Sequence, residues 1–158
     1  MYSRCPDAVP KHLAWIGGWA FIINARGFAN VVPDEIFNTD TGRYNPGVYG
    51  VLYEISEEDE DLLDGYEGVE GGAYEKVEML VWVQQCEGEG ETGEGESLER
   101  VALVYIDRRR TEKATPRLEY VRRMNRGIRE ASSSGLFQPL PGWYVEEVMR
   151  PFIPEEEG

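Results

Sequence analysis

The sequence predicts an α+β domain, and three observations lead there. Four stretches alternate their side chains with the period of a β-strand. Three others carry helix starts, helical spacing or helix stops. The helices are inserted among the strands or trail them, and do not follow each strand in turn as a doubly wound sheet requires. At 158 residues and 18.0 kDa the chain suits one domain, expected over 1–154 with an acidic tail at 155–158. Its 41% hydrophobic content suffices for a packed core.

The first predicted strand, 18–26, sets Trp19, Phe21 and Ile23 on one face and Ala20, Ile22 and Asn24 on the other. Both faces are largely apolar, as in a buried or barrel strand. The second, 47–55, puts Tyr49, Val51, Tyr53 and Ile55 on one side. Next, Ser56-Glu57-Glu58-Asp59 reads as a helix start, with a Ser N-cap, acids in the first turn and an acid at the capping-box position. Gly65 predicts a stop for that helix. The stretch 74–84 has the cleanest alternation, with Val77, Met79, Val81 and Val83 on one face and Lys76 and Glu78 on the other. A fourth strand, 101–107, follows it as the second arm of a hairpin. Thr115-Pro116 predicts a helix with Pro at its first position, along which Tyr120, Met124, Ile128 and Ala131 recur at helical spacing. That helix ends at 132–135. A last helix carries Tyr144, Val145, Val148 and Met149 before Pro151 and Pro154.

The net charge is −14, from 16 basic and 30 acidic residues. This balance opposes non-specific binding to nucleic acid or to an anionic membrane. More than half of it lies in two places. Five acids alternate with glycine and threonine through 87–96, and three close the chain at Glu155, Glu156 and Glu157. The Gly/Glu run has no apolar residue to bury, and its charges repel one another. It is therefore expected as a disordered acidic insertion at 87–97, at the tip of the hairpin. The longest apolar runs fall far short of a membrane span. The first ten residues have no apolar core of a secretory signal. Cys5 and Cys86 show neither disulfide nor metal spacing, so a reducing, cytoplasmic setting is expected.

Chemistry-bearing patterns are few. Neither a Walker-type run nor a GxGxxG turn is present, and His12, the single histidine, has no plausible nucleophile context. Arg108, Arg109 and Arg110 form a basic run that reads as a solvated connection or a carboxylate holder. The segment from Leu62 to Tyr74 differs. A glutamate at Glu67, between Tyr66 and Gly68 and ahead of a buried strand, can be held in a partly dry pocket. There its pKa would rise toward the range useful for proton transfer near neutrality. A solvated surface glutamate is the plain alternative.

Leu63-Asp64-Gly65-Tyr66-Glu67-Gly68-Val69 followed by Tyr74 resembles the catalytic segment of the gamma-glutamylcyclotransferase family, with its Leu-Asp-x-x-Glu-Gly-Val…Tyr pattern. The strand Gly47-Val48-Tyr49-Gly50-Val51-Leu52-Tyr53 is similar to that family's approach strand. So are Arg4-Cys5-Pro6, Asn24-Ala25-Arg26-Gly27-Phe28-Ala29, and the run from Pro116 through Tyr120 and Gly127 to Gly135-Leu136. The resemblance implies a small mixed β-barrel with peripheral helices. It also implies conversion of a γ-glutamyl small molecule into 5-oxoproline and a free amine or amino acid, without metal or organic cofactor. Glu67 would be the general acid/base. Tyr74 and Tyr120 would line the substrate pocket, with ordinary packing an equal alternative for both. The family's Tyr-Gly-Ser-Asn loop and the strand before it have no counterpart in this sequence. The chain is accordingly expected to be either an N-terminally truncated form or a form lacking part of the substrate cradle. Two further readings stay open: a catalytically inactive relative that binds a ligand or protein, and an acidic interaction module working through 87–96.

Overall fold

A computed structural model describes residues 8–35, 46–67, 74–84, 99–135 and 137–156, without the side chains of Tyr66 and Glu67. The acidic insertion expected at 87–97 lies outside these residues. The strands are β1 (Val9–Ile16), β2 (Trp19–Ile23), β3 (Ala29–Pro33), β4 (Val48–Glu54), β5 (Glu75–Val83) and β6 (Glu99–Ile106). Helix α1 (Glu57–Glu67) follows β4, and α2 (Leu118–Ser133) follows β6. The last helix, α3 (Gly142–Tyr144), continues as a wider π-type turn over Val145–Met149, where the Arg150 amide reaches back to the Val145 carbonyl.

Four strands form one curled sheet in the order β4-β1-β5-β6, and β2 pairs with β3 in a separate hairpin. Every described pairing is antiparallel. β3 comes alongside β6 and β2 alongside β4, so the hairpin bends the sheet into a half-barrel. This is the α+β, barrel-like architecture with peripheral helices that the sequence predicts. The core inside the barrel includes Leu13, Phe21, Ile23 and Val48 from the strands. Val121, Ile128 and Ala131 of α2 and Tyr144, Val145, Met149 and Ile153 of the C-terminal turn close over them. The alternation read for β5 is realised, with Met79, Val81 and Val83 buried and Glu78 exposed.

Several expectations are corrected. β1 is a central strand not expected from the sequence, where Pro10, Lys11 and His12 interrupt an otherwise apolar run. Pro10 is tolerated because it sits at the strand's start, beside a register irregularity between Pro10 and His12. His12 is a half-buried strand residue opposite Leu52. β3 is likewise additional, and the first predicted strand is trimmed to Trp19–Ile23 because Asn24 opens a turn. Helix α1 does start on a Ser56 cap, whose hydroxyl accepts the Asp59 amide at 3.1 Å. It does not stop at Gly65 but runs to Glu67. Helix α2 starts at Leu118, not at Thr115-Pro116, and has no side-chain cap.

Candidate active site

One end of the half-barrel gathers the ends of β2 and β6, the starts of β3 and β5, and the first turn of α2. At its centre is a buried polar knot. Asn24 is 0%, Asp107 1% and Asn30 3% exposed, so each must be satisfied by protein partners. The Asn24 side-chain oxygen accepts the amides of Arg26 and Phe28 at 3.1 and 3.4 Å, which fixes the turn after β2. Its Nδ2 donates to Asp107 Oδ2 at 3.2 Å and to the Tyr74 hydroxyl at 3.5 Å. Asn30 pairs with the Asp107 backbone in both directions, accepting its amide at 2.9 Å and donating to its carbonyl at 2.8 Å. A side-chain amide thereby does the work of a missing ladder rung between β3 and β6.

The remaining Asp107 lone pairs are also used. Oδ1 accepts the amides of Arg109 and Arg110, and Oδ2 accepts Arg110 Nη1 at 3.0 Å. Of the basic run at 108–110, Arg110 is therefore a carboxylate holder, and Arg108 pairs with Glu75 at the surface.

The two tyrosines expected at the site meet on a single residue. The Tyr74 hydroxyl donates to the Ala29 carbonyl at 3.0 Å, and the Tyr120 hydroxyl accepts the Ala29 amide at 3.3 Å. Tyr74 is 6% exposed and Tyr120 half-buried, with its ring edge-on to Phe28 at 5.2 Å between centroids. The turn carrying Phe28 depends on Gly27, which has a φ of +86°. A Cβ there would meet Arg117 Cγ at 2.6 Å, so the first turn of α2 can dock only against glycine. The docking is completed by the Arg117 amide donating to the Gly27 carbonyl at 3.3 Å and its Nε donating to the Arg26 carbonyl at 3.0 Å.

Glu67 is the last residue of α1, and its side chain lies outside the described set. The turn before it is held firmly. Asp64 accepts the Tyr105 hydroxyl at 2.6 Å and Lys76 Nζ at 2.9 Å, and Lys76 also reaches Glu60 at 2.9 Å. Tyr105 and Lys76 hold the Asp64 carboxyl below the usual carboxylate range, and Asp64 and Glu60 in turn raise Lys76. These bonds tie the C-terminal half of α1 to the start of β5, two residues from Tyr74. The structure thus links Tyr74 to Tyr120 through Ala29 and ties the helix that ends in Glu67 to the strand that follows Tyr74. The polar knot of Asn24, Asn30 and Asp107 is missing from the sequence reading. The Asn-x-x-Gly turn at Asn24 and Gly27 was its only visible signal.

No group of three or more His, Cys, Asp or Glu side chains among the described residues could hold a metal ion. No described helix is long and apolar enough to cross a membrane.

The AIG2-like family model matches residues 47–146, which contain α1, β5, β6 and α2. No curated protein matches. Among solved structures, an uncharacterized protein from Homo sapiens superposes with a TM-score of 0.68 at 20% identity, over 99% of this chain and 82% of that one. A gamma-glutamyl cyclotransferase superposes with a TM-score of 0.67 at 20% identity, over 99% and 81% respectively. These two likenesses concern the fold. With the family pattern spanning most of the chain and the whole described half-barrel shared with those structures, this chain belongs to the AIG2-like family and has the gamma-glutamyl cyclotransferase-like fold.

Proposed function

We propose that the chain is a gamma-glutamylcyclotransferase-type lyase that closes a γ-glutamyl small molecule into 5-oxoproline and releases an amino acid or amine in the cytoplasm. The observation that carries this reading is the meeting of Tyr74 and Tyr120 on Ala29, beside the strand to which the Glu67 helix is tied. Glu67 is the general acid/base. As a carboxylate it takes a proton from the substrate α-ammonium, and the freed amine attacks the γ-carbonyl carbon. The lactam C–N bond forms and the original C–N bond breaks; Glu67 gives its proton to the leaving nitrogen and relays to it the second proton the attacking nitrogen loses in becoming the lactam N–H, so the amine departs as an ammonium. Nucleophile and electrophile belong to one molecule, so the enzyme's main task is to hold a folded conformer and relay that proton. Tyr74 and Tyr120 rigidify the wall formed by Ala29.

The test is 5-oxoproline release from γ-glutamyl-alanine and from glutathione by the purified chain and by Glu67→Gln. Loss of the acid/base should lower kcat by about 10²–10⁴-fold. Unchanged turnover in Glu67→Gln ends this mechanism. A folded wild-type chain that releases nothing is instead a non-catalytic binding domain.

A further inference from the structure

The candidate site contains guanidinium groups that have no ion pair with a described carboxylate. Arg108, Arg110 and Arg150 each pair with an acid. Arg26, Arg117 and Arg123 have no ion pair among the described residues, in a chain whose acids outnumber its bases 30 to 16. Instead each lies over an aromatic ring at cation–π distance. The Arg26 guanidinium carbon is 5.6 Å from the Phe28 centroid and 5.8 Å from that of Tyr74. Arg117 approaches Phe28 at 5.4 Å, and Arg123 approaches Tyr120 at 5.4 Å.

A cation–π contact uses the guanidinium's charge without spending its five N–H donors, which can still serve a planar acceptor. The Arg26 side chain makes no hydrogen bond among the described residues, and Arg117 spends only Nε, on the Arg26 carbonyl. Both are held by a rigid frame: the Asn24-fixed turn, the Gly27 contact and the first turn of α2. Arg26 is half-buried, so a bond made there competes with less water than one at the open surface. A local positive site also offsets the repulsion that a chain of net −14 exerts on an anionic ligand.

We propose that Arg26 and Arg117 form a carboxylate-binding site that holds one carboxylate of the substrate beside Tyr74. The identity of the ligand rests on the γ-glutamyl reading above; the anion site itself rests on two guanidiniums that have no ion pair among the described residues. A γ-glutamyl amino acid offers two carboxylates, one on the glutamyl Cα and one on the leaving residue. If the second is held, the enzyme selects γ-glutamyl amino acids over γ-glutamyl amines.

The test is titration calorimetry on the full chain carrying Glu67→Gln, so that bound ligand is not consumed. Three ligands are compared: γ-glutamyl-alanine, its C-terminal amide, and 4-aminobutyryl-alanine, which lacks the glutamyl carboxylate. Removing the held carboxylate should weaken binding by roughly tenfold or more, and the analogue that loses affinity identifies which carboxylate it is. Adding Arg26→Gln should weaken γ-glutamyl-alanine by a similar factor and abolish the difference between it and that analogue. Arg117→Gln should do the same. Arg26→Gln keeps the test valid if Arg117→Gln disturbs the docking of α2. Equal binding of all three ligands, no binding of any, or unaltered affinity in a folded Arg26→Gln protein overturns the site. Parallel 5-oxoproline assays on the wild type separate the two ideas. Turnover without carboxylate dependence removes the anion site alone, whereas carboxylate-dependent binding without turnover retains it and removes the cyclisation.

Discussion

At the scale of single residues, Asp64 connects the fold to the proposed chemistry, because it fixes the turn of α1 immediately before Glu67. Its carboxyl is held below the usual range first by the Tyr105 hydroxyl and then by Lys76. A depressed folded-state value stabilises the protein above the unfolded aspartate value of about 3.9, and this stabilisation is lost as pH falls through the folded value. Lys76 has the opposite sign. Raised first by Asp64 and then by Glu60, it contributes fully below the unfolded lysine value of about 10.4 and loses that contribution as pH rises through its folded value. The cluster is therefore constant across neutral pH and weakens only at the two extremes. Tyr105→Phe removes the largest cause of the Asp64 shift, so the Asp64 carboxyl carbon, followed by NMR, should titrate at higher pH in the variant. An unmoved titration would remove the Tyr105 bond from the account.

At the scale of elements, the C-terminal turn is clamped to α2 by one buried amide. Asn125, 3% exposed, donates to the Pro154 carbonyl at 2.9 Å and to the Val121 carbonyl at 3.0 Å, and accepts Arg150 Nη1 at 2.6 Å. Asn125→Leu keeps most of the volume but strips partners from Arg150 and from the Pro154 carbonyl. Urea unfolding should show a loss of about 1–3 kcal/mol; a change within about 0.5 kcal/mol, the range of an ordinary surface substitution, would deny the clamp. Such polar ties also explain what the sequence did and did not disclose. β5 and the hydrophobic face of α2 were legible because their apolar period matches their burial. β1 and β3 were not, because Pro10, His12 and Asn30 interrupt the period, and Asn30 is satisfied by Asp107 and Arg110, some 77 and 80 positions away. The end of α1 was misjudged for a similar reason. Gly65 is exposed with open space around it, and its intrinsic helix penalty of about 1 kcal/mol is outweighed by the tertiary bonds of Asp64. Before α2 the Ala114 amide bonds to the Ile23 carbonyl at 2.7 Å, and the helix does not begin until Leu118. Of the candidate site, Tyr74 and Tyr120 are expected from the family resemblance alone, whereas the buried asparagines beside them leave no trace in hydrophobic patterning.

At the scale of the whole molecule, the hairpin's register is carried by the paired strands themselves. β5 and β6 pair continuously from Glu75 opposite Ile106 to Trp82 opposite Glu99, and β5 is held again by β1 through Ala14 and Trp15. The hairpin's alignment is thus specified by cross-strand pairs and by the buried face of Met79, Val81 and Val83, all on the strand side of residues 84–98. Closing a hairpin through a long connection costs entropy that grows only slowly with length, by about 0.6 kcal/mol per doubling. Replacing 85–98 with a four-residue Asn-Gly-containing turn shortens the connection by nearly two doublings. It also removes five of the acids that give the chain its net charge of −14. Both changes favour the folded state, the first through chain entropy and the second through reduced self-repulsion. For a domain of this size the entropic gain alone corresponds to a rise in Tm of roughly 2–4 °C. The site at the opposite end of the hairpin, where Tyr74 and Asp107 sit, should keep its ligand affinity. A fall in Tm on this replacement would mean that residues 85–98 contribute contacts to the folded domain, and a loss of affinity with Tm intact would assign them to the site.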